Sequence, residues 1–205
     1  MRLPPQRSEA TPLHRLNTAP AADLTAALLT CCGSRRWARD IAAHRPYPDL
    51  ESLLAAADEA GYDLTDEDLT EALAQEAAGG PGYGELLYGG RHLPVSGTLA
   101  AHTALRAAHA AYESRFGYVF VLCVDGVREE EALGHVLAAL HGRLGNEAER
   151  ERAVAADELR RIARGRLLRL VREGRPVRRP GHRGGPGTAR PGCGTGGVPS
   201  PSVPD

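Results

Sequence analysis

The feature that most restricts the fold is the return of apolar residues at three- and four-residue spacing, block after block. Leu24, Leu28 and Cys32 are four apart, with Ala27 and Cys31 beside them. That spacing lays one apolar stripe along a helix from Pro20 to Cys32. Gly33 and Ser34 break the run. Ser34 can cap a second helix, Arg35 to Ala43, in which Trp37 and Ile41 face one way. Arg45-Pro46-Tyr47-Pro48 forbids helix. Asp49 caps a third helix with Leu50, Leu53, Leu54 and Ala57 on one face, and Gly61 closes it. Thr65 and Asp68 form a near capping box for a fourth, with Leu69 and Leu73 inward.

The pattern resumes after Ser96-Gly97. A fifth helix is expected to Arg115, with Leu105, Ala108 and Tyr112 in phase. A sixth is expected from Glu129 to Leu144, and a seventh, capped by Asn146, to about Val171. The expected fold is all-α, a compact bundle of about seven helices. Between the halves, Gly79 to Gly90 carries six glycines and one proline in twelve residues and reads as a long loop. One run breaks the helical pattern. Tyr118 to Val124 reads Tyr-Val-Phe-Val-Leu-Cys-Val and is β-like. An extended segment in a helical chain leaves backbone N–H and C=O groups needing partners. Either a polar ligand or the ends of neighbouring helices can supply them.

The chain divides into a lead (1–12), a helical body (13–173) and a tail (174–205). Half of the tail's 32 residues are Gly or Pro, nine and seven respectively, so disorder is expected there and in the lead. Net charge is −1, which provides no global basic field for nucleic acid. Every one of the 25 basic residues is Arg, which together with the Ala, Gly and Pro content reflects coding bias rather than function. No apolar run approaches the ~18 residues that span a bilayer, and no apolar stretch follows Met1 as in a signal peptide. A cytoplasmic protein is expected. Cys31, Cys32, Cys123 and Cys193 show no Cys-x-x-Cys and no zinc spacing, so free thiols in a reducing compartment are expected.

Cofactor signatures are absent from the sequence. The 79–90 glycines match no dinucleotide fingerprint, and without Lys there is no P-loop. Histidine is the usual acid–base group near neutral pH. His102 and His109 share a helix face but lie about 10 Å apart along it, too far to hold one metal directly. His92 follows the glycine-rich loop and is within reach of a pocket.

Several blocks resemble the 2-oxo-4-hydroxy-4-carboxy-5-ureidoimidazoline (OHCU) decarboxylase family. In the first half they are Leu28-Leu29-x-Cys31-Cys32-x-Ser34-x-x-Trp37-Ala38, Arg45-Pro46-Tyr47-x-Asp49-Leu50 and Leu53-x-x-Ala56-Ala57-Asp58. In the second half they are Tyr112-Glu113-x-Arg115-Phe116-Gly117-Tyr118-Val119-Phe120, Arg143-Leu144-x-Asn146 and Glu158-Leu159-x-x-Ile162-Ala163-x-x-Arg166-Leu167. The resemblance covers about 13–171. It implies an all-α, usually dimeric enzyme of urate degradation that converts OHCU to (S)-allantoin and CO2 with no metal or organic cofactor. The implied partners are therefore a small ureido or imidazoline acid and a second copy of the chain.

By the same resemblance, Arg143 binds the substrate carboxylate, and Phe120, Val121, Leu122, Cys123 and Val124 form the segment whose backbone contacts the substrate ring. The family's His-Pro-Arg-Ile-Gly is replaced by Glu76-Ala77-Ala78-Gly79-Gly80, so Glu76 stands at the catalytic His position. In the family's Ser-x-x-Glu-Gln block Ser96 is kept and the Glu-Gln pair is lost. His109 stands where the family carries Asn. Two functions follow. One is a divergent, slow decarboxylase, with Glu76 in an apolar pocket, or His92, His102 or His109, as replacement acid. The other is an inactive member that binds a ureide or purine-like acid, or acts on a different small acid. A purely structural role is the third alternative.

Overall fold

The structure, a computed structural model, describes residues 11–78, 85–88, 91–94 and 99–173. It is all-α, with eight helices among the described residues: α1 (Pro12–Thr18), α2 (Ala21–Cys31), α3 (Arg35–Ala43), α4 (Leu50–Tyr62), α5 (Asp66–Ala78), α6 (Leu99–Phe116), α7 (Glu129–Leu144) and α8 (Ala148–Glu173).

The eighth helix beyond the expected seven is α1. Thr11 accepts from the His14 amide at 3.2 Å, and Pro12 occupies the first turn, where its missing N–H costs nothing. Thr11 and Pro12, assigned to the lead from sequence, therefore begin the folded body. The rest of the lead and the whole tail, 174–205, lie outside the described residues.

Three of the predicted caps form where the sequence placed them. Ser34 accepts from Trp37 N at 3.2 Å and Asp49 from Ser52 N at 2.7 Å. Thr65 and Asp68 satisfy each other's amides at 3.1 and 3.3 Å. Asn146 departs from expectation. It precedes α8 but donates to the Glu151 carboxylate at 2.7 Å instead of accepting from an amide.

Part of the expected loop is a β-hairpin. Glu85–Tyr88 (β1) pairs antiparallel with Arg91–Pro94 (β2), Tyr88 opposite Arg91. Gly89 and Gly90 alone separate the strands, and Gly-Gly between short apolar runs is a two-residue hairpin signal. Glycine density obscured it.

Two apolar clusters make up the core. Leu28, Trp37, Ile41, Leu53, Leu73 and Leu159 centre the first, built on α2–α5 and α8. Tyr112, Phe120, Leu122, Val136 and Leu140 centre the second, built on α6 and α7. The β-like run lies between them. Phe120, Leu122 and Val124 belong to the second cluster and Val121 to the first, with Cys123 packed against the first. An extended chain points successive side chains to opposite sides. Its period of two is therefore what two helical layers on either side demand. Gly117, at φ 77°, releases the chain from α6 into this segment in a conformation that side-chain-bearing residues rarely adopt.

α8 is the shared spine. Its Leu159, Ile162, Leu167 and Leu170 fill the first cluster, and two of its carboxylates reach the extended segment and its neighbours, as described next.

Candidate functional site

The seam between the clusters carries a buried polar network centred on Arg143, in the last turn of α7. Its Nε donates to Glu151 Oε1 at 2.7 Å, and Nη2 lies 2.6 Å from the same oxygen. Nη1 donates to the carbonyl of Val121 at 2.7 Å. Nη2 also meets the Tyr112 hydroxyl at 3.3 Å. The guanidinium carbon stands 4.5 Å from the Phe120 ring centroid and 5.7 Å from that of Tyr112, within cation–π range. Glu151 is fully buried, and its charge is met from several sides. Tyr112 donates its hydroxyl to Oε1, and Asn146 donates to Oε2 at 2.7 Å. A buried ion pair needs this degree of satisfaction to offset its desolvation.

The extended segment's backbone is met by side chains from neighbouring helices. Arg143 takes the Val121 carbonyl, and Glu158 of α8 accepts from the Cys123 amide at 2.7 Å. These two groups thus have partners within the chain. Phe120, Leu122 and Val124 place their side chains in the second cluster, away from Glu158.

Three titratable groups in this region are perturbed by burial. The Tyr112 phenol is pushed up by burial, reinforced by its hydrogen bond to Glu151. Burial also raises Tyr118, whose hydroxyl lies beside that of Tyr112 yet makes no hydrogen bond among the described residues. Burial lowers His109. The His109 ring packs edge-on against Phe120, centroids 5.7 Å apart, and Tyr112 packs on the same ring at 5.0 Å.

Glu76, expected at the catalytic position, is paired with Arg166 of α8. In the last turn of α5 its two oxygens accept from Arg166 Nη1 and Nη2 at 2.6 and 2.9 Å, a bidentate pair. Arg166 also donates to the Cys31 carbonyl at the end of α2, at 3.2 Å. This fork ties α2, α5 and α8 together. Arg166 and Glu151, the anchor of Arg143, are fifteen residues apart on α8, roughly 22 Å along its axis. The structure does not bring Glu76 to Arg143. Both Glu76 oxygens face the Arg166 guanidinium rather than an apolar pocket.

Ser96 lies outside the described residues, and of His92 only the backbone, in β2, is described. Sequence reasoning missed Glu151 and the roles of Glu158 and Arg166. Each acts through a partner outside its own helix, so no helical spacing marks it. Tyr112 was within the matched blocks, but nothing local showed that its hydroxyl meets an ion pair. Among the described residues no group of three His, Cys, Asp or Glu is placed to hold a metal ion. No described helix is long and apolar enough to cross a membrane.

With this geometry in place, the comparisons with known proteins are specific. A family model for OHCU decarboxylase matches residues 17–78 and 90–168. A 2-oxo-4-hydroxy-4-carboxy-5-ureidoimidazoline decarboxylase from Amia calva is 38% identical over 63 residues, 31% of this chain and 34% of that protein. The match thus spans about a third of that relative's length. A crystal structure of OHCU decarboxylase in the presence of (S)-allantoin has a TM-score of 0.57 at 24% identity, covering 70% of this chain and 95% of that one. A crystal structure of (S)-allantoin synthase has a TM-score of 0.55 at 24% identity, covering 76% and 52%. Both structures share the fold.

Proposed function

Because the chain belongs to the OHCU decarboxylase family, we propose that it is a slow carboxy-lyase acting on OHCU, or a close ureidoimidazoline acid, to give (S)-allantoin. The supporting observation is the seam between the clusters, where Arg143, Phe120 and the extended segment 118–124 converge. In this reading the seam supplies the binding half of the site that the family resemblance implies. Arg143 holds the substrate carboxylate, sharing or displacing Glu151. The backbone of 120–124 faces the ring.

Slowness follows from what the seam lacks. Loss of CO2 leaves an electron pair on the ring that must be protonated on one face. Glu76 serves Arg166 instead, and removing a general acid typically costs about 10²–10⁴-fold. Binding that is equal for substrate and transition state does not raise kcat.

A second reading is a family member that binds a ureide without turnover. The observation in its favour is that both Glu76 and Arg143 already have internal partners of opposite charge. Single-turnover kinetics on freshly made OHCU, followed by the circular dichroism of (S)-allantoin, separates the two. Enzyme-dependent (S)-allantoin supports the first reading. Ligand-induced thermal stabilisation with no (S)-excess supports the second.

A further inference from the structure

We propose that Glu158 is a positioning residue, which fixes the extended segment 118–124 from α8 through the Cys123 amide and so aims the segment's other backbone edge at the ligand. The inference rests on the decarboxylase reading above in one respect, that the backbone of 120–124 faces the ring. Three observations carry it. First, α8 meets the segment at regular intervals. Glu151, Glu158 and Gly165 are seven residues apart, a spacing that keeps them near one helix face. They reach alternate residues of the segment and of the turn that follows it. Glu151 holds Arg143, which donates to the Val121 carbonyl. Glu158 accepts from the Cys123 amide at 2.7 Å. At Gly165 an added Cβ would overlap Asp125 Oδ2, so the glycine is what admits that carboxylate in its present pose. Arg169, one turn on, pairs with the same carboxylate at 3.4 Å.

Second, the segment is paired along one edge. In an extended chain the N–H and C=O of one residue point to one edge and those of the next residue to the other. The Val121 carbonyl and the Cys123 amide therefore lie on one edge, and Arg143 and Glu158 take them. Leu122 turns its N–H and C=O the opposite way. Among the described residues neither group has a hydrogen-bond partner, although Leu122 is buried. Buried backbone groups need partners, and a ureido or imidazoline ring carries a complementary N–H and C=O side by side.

Third, the burial of Glu158 has a single interior purpose among the described residues. Its Oε1 accepts at 2.9 Å from Arg161, whose side chain is 64% exposed, so that partner belongs to the surface. Its Oε2 serves the Cys123 amide, a charge-assisted hydrogen bond. A carboxylate is costly to bury, and the neighbouring Ala155, Leu159 and Ile162 show that this face of α8 takes apolar side chains. A carboxylate here therefore acts on the segment rather than on the packing of the bundle.

The test compares wild type with Glu158→Met, Glu158→Ala, Glu158→Gln and Arg161→Ala, each well below its melting midpoint. The readouts are amide hydrogen exchange, (S)-allantoin titration and single turnovers on fresh OHCU. Glu158→Met and Glu158→Ala remove the acceptor, with and without filling its space. Glu158→Gln keeps an oxygen that can accept from Cys123. In wild type, (S)-allantoin is expected to slow exchange at Leu122. Loss of the acceptor is expected to speed exchange at Cys123 about 10-fold or more and to weaken (S)-allantoin binding by a similar factor. The core amides of α2 and α7 should exchange as in wild type, which a merely destabilised fold would not allow. Glu158→Gln is expected to recover most of both losses, and Arg161→Ala to match wild type. A segment loosened at Cys123 with wild-type affinity and turnover would overturn the assignment alone. So would exchange raised evenly across all helices with no recovery in Glu158→Gln. A wild type that neither binds (S)-allantoin nor forms it from OHCU would overturn the decarboxylase reading and the assignment with it.

Discussion

Arg143 already holds a carboxylate, that of Glu151, whose Oε1 lies 2.7 Å from Nε and 2.6 Å from Nη2. An incoming acid meets this internal anion before it meets a free guanidinium. Glu151→Gln keeps the shape and removes the charge. It should destabilise the fold, since breaking a buried pair costs about 3–5 kcal/mol, or roughly 6 °C or more in melting midpoint. A ureido acid should then raise that midpoint more in Glu151→Gln than in wild type, and not at all in Arg143→Ala. Equal ligand shifts in wild type and Arg143→Ala would remove Arg143 from the ligand site.

Glu76 should matter for stability and not selectively for turnover. Its side chain is 15% exposed and that of Arg166 6%, so Glu76→Ala strands a buried guanidinium. A loss of about 3–5 kcal/mol is expected. Single-turnover rates measured well below the lowered melting midpoint should stay within a few-fold of wild type. A drop of 10²-fold at full folding would restore Glu76 to catalysis.

Stability should decline on the alkaline side. Burial holds the Cys31 thiol up at about 11 and Cys32 at about 12, against an ordinary value of 9.0. The unfolded thiols ionise first, so the stability linked to these groups is complete below about pH 9. It is lost as the pH climbs through about 11 and 12. Buried Tyr112 adds a decline of the same sign. Denaturant midpoints of wild type and Cys31→Ala/Cys32→Ala, taken from pH 7 to 10.5, should therefore diverge, the variant falling less steeply. Parallel curves would contradict the burial of these thiols.

Tyr118 carries a buried hydroxyl that makes no hydrogen bond among the described residues. Removing an unsatisfied polar group is close to neutral or stabilising. Tyr118→Phe should change unfolding free energy by no more than about 1 kcal/mol, in the stabilising direction. If the hydroxyl serves a ligand, the same variant should weaken the (S)-allantoin thermal shift. A destabilisation of about 2 kcal/mol or more would mean the hydroxyl has a partner.

The end of α8 sets where the chain can be cut. Leu170 and Val171 are buried in the first cluster, three and two residues before Glu173. Ending the chain after Glu173 should leave the melting midpoint within a few degrees of the full chain. Ending it after Leu167 should lower it sharply, since burying an aliphatic side chain contributes about 1.5–3 kcal/mol. Equal loss from both truncations would mean the tail docks on the body.

The helices and three of their caps were legible because each is written within a few residues: Ser34 before Trp37, Asp49 before Ser52, and Thr65 with Asp68. α1 was missed although Thr11-Pro12 is a start signal, because seven residues offer too few turns for periodicity to register. The site was legible only on one side. Arg143 and the 120–124 segment were found through matching blocks. That Glu151 and Glu158 are their partners emerged only when α8 folded back along the seam. Glu76 shows the converse: its place in the chain was legible through the matching blocks, while its partner Arg166, ninety residues on, was not.

The Glu76–Arg166 fork also constrains how this protein can change through descent. Glu76→His removes the carboxylate that Arg166 holds among the described residues and leaves that guanidinium buried beside the end of α2. Such neighbours do not contribute additively. The route back to a histidine at this position therefore runs through a less stable intermediate, unless position 166 changes first or together with it. A histidine at position 76 thus has to be accommodated at a partner ninety residues away.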